Sequence, residues 1–259
     1  MTRKKILSVF LVIKVVLQSI SAEESNFAFY EIFIGSELSI AIYNYLGTQI
    51  ELDIPSQING FPVGIIEEGS FGSKRLSHVI IPDTVLRIFA RAFERNYLTS
   101  ITIPSRVETI GSLAFFDNHL TDIVLPNSVR EIGIGAFSFN RLIDIIIPNR
   151  LEIIEHNTFA HNQLTNVIIP DSVIRIESAA FASNQLSSII IPSGVTFIGH
   201  TAFENNPLTR IVIGENVILE RNIWTGLSPF NNGFTEFYLE NGSRTGTYVL
   251  INEGWTLQE

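Results

Sequence analysis

The chain has 259 residues, 46% of them hydrophobic and 17% charged, with a formal net charge of −9 and no cysteine. That hydrophobic content supplies a core and excludes a disordered chain, while the missing thiols exclude disulfides, thiolate metal sites and cysteine catalysis. An acidic surface repels phosphate backbones and anionic lipid heads, which argues against nucleic acid and membrane surfaces as partners.

Arg3, Lys4 and Lys5 open the chain, an apolar run from Ile6 to Ile20 follows, and Ser19, Ser21 and Ala22 supply small residues. This order reads as a secretory signal over residues 1–22, cleaved near Ser21 or Ala22. The run carries Lys14 and is shorter than the roughly 20 apolar residues that span a bilayer, so no membrane insertion is expected after cleavage. Removing residues 1–22 leaves 13 basic and 26 acidic side chains, a net charge of −13. The expected location is exported: periplasmic, cell-surface or extracellular.

Phe27 to Ile34 and Leu38 to Tyr45, joined across Gly35-Ser36-Glu37, read as a hairpin able to cover an open sheet edge. Residues 23–69 are expected to form an N-terminal cap and a first, longer repeat.

From Phe71 to Ile213 the chain repeats every 22 residues without a shift of register. Proline recurs from Pro82 through Pro104 and Pro126 to Pro192, phenylalanine from Phe71 through Phe93 and Phe115 to Phe203. Asparagine recurs from Asn96 to Asn206 and leucine from Leu76 to Leu208.

Within one row, Ile101-Thr102-Ile103 alternates and is rich in branched side chains, so it predicts a short strand with Ile101 and Ile103 pointing inward. Pro104 ends it, having no N–H to give a neighbouring turn. The following column, Asp83, Ser105, Asn127, Asn149, Asp171 and Ser193, offers side chains expected to cap a turn. The stretch Val107 to Phe115 is compatible with extended chain, a 3₁₀ turn or a short helix; the expectation is an irregular outer wall with at most short helical turns.

One such row cannot bury its own apolar side, but stacked rows share a continuous core. The Phe column is then a spine of rings in which burying each is worth about 2–3 kcal/mol. The Asn column reads as buried amides bonding the backbone of adjacent turns. Residues 70–213 are assigned to this solenoid, a mainly parallel β, right-handed stack.

The pattern Leu-x-x-Ile-x-Ile-Pro-x-x-Val-x-x-Ile-Gly-x-x-Ala-Phe-x-x-Asn resembles the BspA-like class of leucine-rich repeats of bacterial cell-surface antigens. Leu120 to Asn140 and Leu186 to Asn206 match it almost throughout, and Leu52 to Val63 looks like that family's longer first repeat. Many members carry cysteine where this chain has the Asn column. The resemblance implies adhesion or interaction with host or neighbouring-cell molecules, including matrix proteins, and brings no catalytic residue with it.

The repeat breaks at Gly214, where proline is due. The tail, residues 214–259, contains Trp224, the loop Ser228 to Gly233, Phe234 to Leu239, an Asn241-Gly242 turn signal, Thr247 to Ile251 and Trp255. It reads as a C-terminal β cap whose aromatics close the core, the alternative being a small recognition module.

His156 and His200 share a column but lie two turns apart, roughly 9.5 Å in backbone, too far for one metal ion. Solvated histidines are expected instead. Glu155 and Glu177 stand on adjacent turns, near the spacing of a retaining glycosidase pair, yet their column also holds Gly111, Gly133 and Gly199. It therefore reads as a tight-turn position whose side chains face water. No GxSxG elbow, phosphate loop or HExxH appears. The chain is read as no enzyme, with no cofactor and no metal.

The residue between the two inward strand positions must point out, and that column reads Ile80, Thr102, Val124, Ile146, Ile168, Ile190 and Val212. β-propensity alone would explain it; an exposed apolar patch on an exported chain favours a contact surface. Asp122 and Asp144 flank it on neighbouring turns, suited to a basic partner group or Ca²⁺, though solvation explains them as simply. The expected function is binding of a protein or peptide ligand on another cell or matrix, with Val124, Ile146, Ile168 and Ile190 as floor and Asp122 and Asp144 as rim. The alternatives are a carbohydrate-binding or envelope-structural protein, and a glycoside hydrolase using Glu155 and Glu177. Ligand and oligomeric state stay open.

Overall fold

The computed structural model describes residues 24–221, 227–230 and 233–258. The expected signal at 1–22 and Trp224 lie outside these residues.

The rows stack into a β-solenoid with two ladders. The inner ladder holds the strands before each proline, among them His78–Ile80, Asp144–Ile146, Asn166–Ile168, Ser188–Ile190 and Arg210–Ile213. Its pairs are parallel and 22 residues apart, as in Asp144 with Asn166 and Ile190 with Val212. The alternation works as the branched pattern requires: Ile145, Val167 and Ile189 are buried, while their flanking neighbours are exposed.

The outer wall is more regular than expected. Two-residue strands, Arg87–Ile88, Thr109–Ile110, Glu131–Ile132, Ile153–Ile154, Arg175–Ile176, Phe197–Ile198 and Ile218–Leu219, make a second ladder with parallel pairings. The physical reason is the 22-residue identity of the rows. Once the inner strands fix the register, the β-branched Ile column is held one turn above the next, and extended chain satisfies its backbone groups. After the ladder each row makes two left-handed turns, for example at Leu113 and Asp117 and again at Thr201 and Asn205.

The corner after proline is closed differently from the expectation. The N–H of Val107 donates to the Pro104 carbonyl at 3.0 Å, and Val85, Val129, Val173 and Val195 repeat this bond. The polar side chains in the turn do not cap it; Asn127 Oδ1 instead accepts from the N–H of Asn149, one turn further on, at 3.5 Å.

Two columns hold the turns together. The rings from Phe71 to Phe203 stack nearly parallel at centroid distances of 5.1 to 5.7 Å, and all are fully buried. Each Asn spans its own turn and the one before. Asn118 Nδ2 donates to the carbonyls of Phe93 and Phe115, and Asn118 Oδ1 accepts from the N–H of Leu98. The same triad of bonds recurs at Asn140, Asn162, Asn184 and Asn206.

The ends are closed by aromatic residues. The hairpin Phe27–Ile34 with Glu37–Tyr45 adds its second strand in parallel to Phe61–Ile66, which extends the outer ladder. Phe27 and Tyr45 contact Phe71, starting the ring column. At the other end Phe230 stacks on Phe203 at 5.1 Å, as an eighth rung that the 22-residue count does not reach. Phe234–Glu240 forms a short helix where the expectation was all β, its Asn241-Gly242 sequence ends that helix, and Gly246–Ile251 with Gly254–Gln258 forms an antiparallel hairpin on Arg210–Ile213. Phe234, Tyr238, Tyr248 and Trp255 meet edge-on or stacked over Phe230. The helix forms because Phe234 and Tyr238, four residues apart, face the ring column together.

Candidate functional site

The outward column of the inner ladder is open to solvent along its middle: Val124 is 80% exposed, Ile146 66%, Ile168 52% and Ile190 60%. Ile80 and Thr102 are exposed too. Val212 is the exception to the expected stripe; it pairs with Thr247 of the C-terminal hairpin and is half-buried. The stripe therefore ends where the cap begins.

Asp122 and Asp144 lie exposed beside it, as the strand alternation demands. Between their turns runs an open groove of about 360 Å³, lined by Thr121, Asp122, Val124, Ile143, Asp144 and Ile146. Thr121 Oγ1 donates to Asp122 Oδ2 at 3.3 Å, and Thr165 Oγ1 to Asp144 Oδ1 at 3.4 Å. Four of the six residues expected at the site thus share one groove, and Ile168 and Ile190 continue its apolar floor. Ile143, 48% exposed in a column otherwise of Thr and Ser, adds an apolar wall that the column analysis missed. Its departure from the Thr column is the signal that could have revealed it.

Glu155 and Glu177 do not present two free carboxylates, and Glu177 does not face water. Its side chain is 13% exposed, takes a 2.7 Å hydrogen bond from Arg175 Nε, and lies 3.9 Å from His156 Nε2. Arg175 in turn sits 3.9 Å over the ring of Phe197. One Glu177 oxygen is thus taken up by the Arg175 guanidinium, so the two glutamates are not set out as a free facing pair.

His200 is likewise engaged, not merely solvated. Its Nδ1 lies 3.0 Å from Glu220 Oε2 and 3.1 Å from Ser178 Oγ, and its backbone N–H donates to the same Glu220 oxygen. That backbone bond first, then the His200 ring and the Ser178 hydroxyl, hold the Glu220 carboxyl below the usual carboxylate range against the opposing effect of burial. Serine and glutamate converge on one ring nitrogen, so the trio is not arranged as a nucleophile, base and orienting acid in series. Among the described residues no cluster of three or more His, Cys, Asp or Glu could hold a metal ion, and no helix is long and apolar enough to cross a membrane.

The BspA type leucine rich repeat region matches residues 64–183 and 152–231, in six copies. A leucine rich cell surface protein of Faecalibacterium prausnitzii is similar in structure, with 29% identity and a TM-score of 0.61 over 75% of this chain. This chain spans only 57% of that protein's length. A leucine-rich repeat protein of Bacteroides ovatus shows 20% identity and a TM-score of 0.45, covering 79% of this chain and 66% of its own. The leucine-rich repeat protein of T. pallidum shows 23% identity and a TM-score of 0.32, covering 73% and 69%. No curated protein matches the sequence. With the family match running through more than half the residues, this chain belongs to the BspA-type leucine-rich repeat family.

Proposed function

We propose that the protein is an exported binding module that docks a protein or peptide ligand of another cell or matrix on the inner face of its solenoid. The reading rests on one observation above all: four branched apolar side chains, Val124, Ile146, Ile168 and Ile190, stand more than half exposed in an unbroken row. Isolated exposed apolar residues are ordinary, but a contiguous row along one face marks a contact surface. The acidic pair Asp122 and Asp144 selects a partner edged by Lys or Arg, which it attracts and orients.

The similarity to a bacterial cell-surface protein and the basic, apolar and small order of residues 1–22 both support export. The carbohydrate and envelope alternatives have less support, because Trp255 is buried within the terminal aromatic cluster and cannot offer a sugar platform.

The test is the double variant Ile146→Lys and Ile168→Lys, both at outward positions. It leaves the far-ultraviolet circular dichroism unchanged and abolishes capture of ligands from a panel of purified matrix proteins and bacterial surface proteins. Binding retained at wild-type affinity would refute the inner face as the site.

A further inference from the structure

The two ladders do not lapse at random. The inner ladder is interrupted in three places, between His78–Ile80 and Thr102, between Val124 and Asp144–Ile146, and between Asn166–Ile168 and Ser188–Ile190. The outer ladder is interrupted only once among the described residues, between Glu131–Ile132 and Ile153–Ile154. That single outer break falls between the same two turns as the middle inner break. On every other outer step the row is zipped, as by the N–H of Ile174 to Glu152 and of Glu177 to Ile154, both at 2.8 Å. The corresponding bonds from Glu152 to Arg130 and from Glu155 to Ile132 are not made.

Open space follows the break on both faces. The inner groove of about 360 Å³ lies between Thr121–Val124 and Ile143–Ile146, and an outer cleft of about 690 Å³ runs from Thr109–Ser112 over Arg130–Ile134 and across the break to Arg150, Glu152, Ile153 and Glu155. What still spans the seam is chiefly the corner, with two longer bonds away from it, from the Ile143 N–H to the Thr121 carbonyl at 3.3 Å and from the Asn149 N–H to Asn127 Oδ1 at 3.5 Å. Phe137 and Phe159 stack at 5.7 Å, the widest step in the column, and the N–H groups of Phe137 and Phe139 reach Thr158 and Ala160. Two turns held firmly along one corner, by single long bonds on the inner side and by no ladder bond on the outer wall, have the form of a hinge.

The sequence supplies a cause. The buried column Val85, Val107, Val129, Val173, Val195 and Val217 holds Leu151 at this one turn. A longer, γ-branched side chain in a close-packed slot pushes its turn outward. Four residues on, Glu155 replaces the glycine of Gly111, Gly133 and Gly199, where a Cβ would lie 2.4 Å from the backbone nitrogen one turn back. Glu177 shows that a glutamate alone is tolerated, since its ladder bond is kept beneath Val173. The seam combines the glutamate with the leucine.

We infer that the solenoid is two rigid stacks, one ending at the turn of Val124 and Ile132 and the other starting at the turn of Ile146 and Ile154, which open against each other about the Phe137–Phe159 corner. In a linear array stability is a sum of row and interface contributions, so a weakened interface divides it into separately opening units. The seam crosses the apolar stripe between Val124 and Ile146, so its opening changes the spacing of these two side chains.

Hydrogen exchange on the full chain at rising, sub-denaturing urea tests this without any ligand. The amides of Phe93 and Phe115 and those of Phe181 and Phe203 are expected to fall into two classes whose protection differs at least tenfold, with the seam amides of Phe137 and Phe139 exposed before either. A disulfide between Glu131→Cys and Ile153→Cys, in a chain with no cysteine of its own, merges the classes; one between the register partners Thr109→Cys and Glu131→Cys leaves them apart. A single class in the unlinked chain, or equal effects of the two disulfides, overturns the hinge.

Discussion

Asn118 donates from Nδ2 to the carbonyl of Phe93, one turn back, at 2.9 Å, while its Oδ1 receives the N–H of Leu98 at 3.1 Å. One amide thereby satisfies backbone groups that the corner of the solenoid leaves without a ladder partner, and it does so out of reach of water. An apolar replacement of similar size fills the space but orphans the Leu98 N–H, whereas the Phe93 and Phe115 carbonyls keep the amides of Asn96 and Asn140. Asn118→Leu is expected to lower stability by about 1–3 kcal/mol, the cost of one buried polar group left unpaired, read as a fall in the urea midpoint. An unchanged midpoint would mean that the ladder of amides is ornamental.

The ring column makes a second, independent contribution. Phe137 is fully buried between Phe115 at 5.4 Å and Phe159 at 5.7 Å. Phe137→Ala removes contacts on both sides, and a loss of about 3–5 kcal/mol is expected in the same urea titration. Phe139→Ala, two residues away but half exposed, is expected to lose well under half as much.

Glycine at the outer turn of Gly133 makes a close approach to the turn before it. A Cβ on Gly133 would sit 2.4 Å from the backbone nitrogen of Ser112. Gly133→Ala therefore crowds its neighbour, an overpacking that costs about 1–3 kcal/mol and weakens the ladder bond without breaking it, as the bond kept at Glu177 indicates. Faster exchange of the Gly133 amide, which bonds the Ile110 carbonyl at 2.8 Å, is the local readout.

The Glu220 carboxyl, held below its ordinary range by the His200 backbone N–H, contributes stability that is present above its unfolded value and is lost as pH falls through the folded one. Wild type and Glu220→Gln should differ in midpoint at pH 7. The difference should shrink as the pH is taken below 4.5. A gap that persists in acid would assign the effect to packing.

Most of the architecture is legible because a residue's place in the row fixes its place in space. Ile101 and Ile103 go in, Thr102 goes out, and Phe and Asn stack, since each row repeats the environment of the last. What escapes the columns is what depends on single departures from them. Phe230 continues the ring column although it comes 27 residues after Phe203, five more than the repeat. The outer ladder looked irregular because its two-residue strands are too short to show alternation. Of the site, the exposure of Val124 to Ile190 follows from alternation alone, whereas Ile143 and the shielding of Val212 depend on one substituted column position and on the terminal hairpin.

Charge at the rim governs approach more than residence. Neutralising the pair as Asp122→Asn with Asp144→Asn is expected to slow association several-fold at low salt, to leave dissociation nearly unchanged, and to flatten the salt dependence of the rate. Surface plasmon resonance over a range of ionic strength separates the two constants.

The central claim, that the inner face meets the ligand, is tested most directly by where the ligand can be touched. A photo-crosslinking side chain placed at Ile168 on the inner face, and separately at Arg130 on the outer wall, is irradiated with the ligand bound. Adducts from position 168 and none from 130 are the expected result; adducts from 130 alone would put the contact on the wrong side of the solenoid.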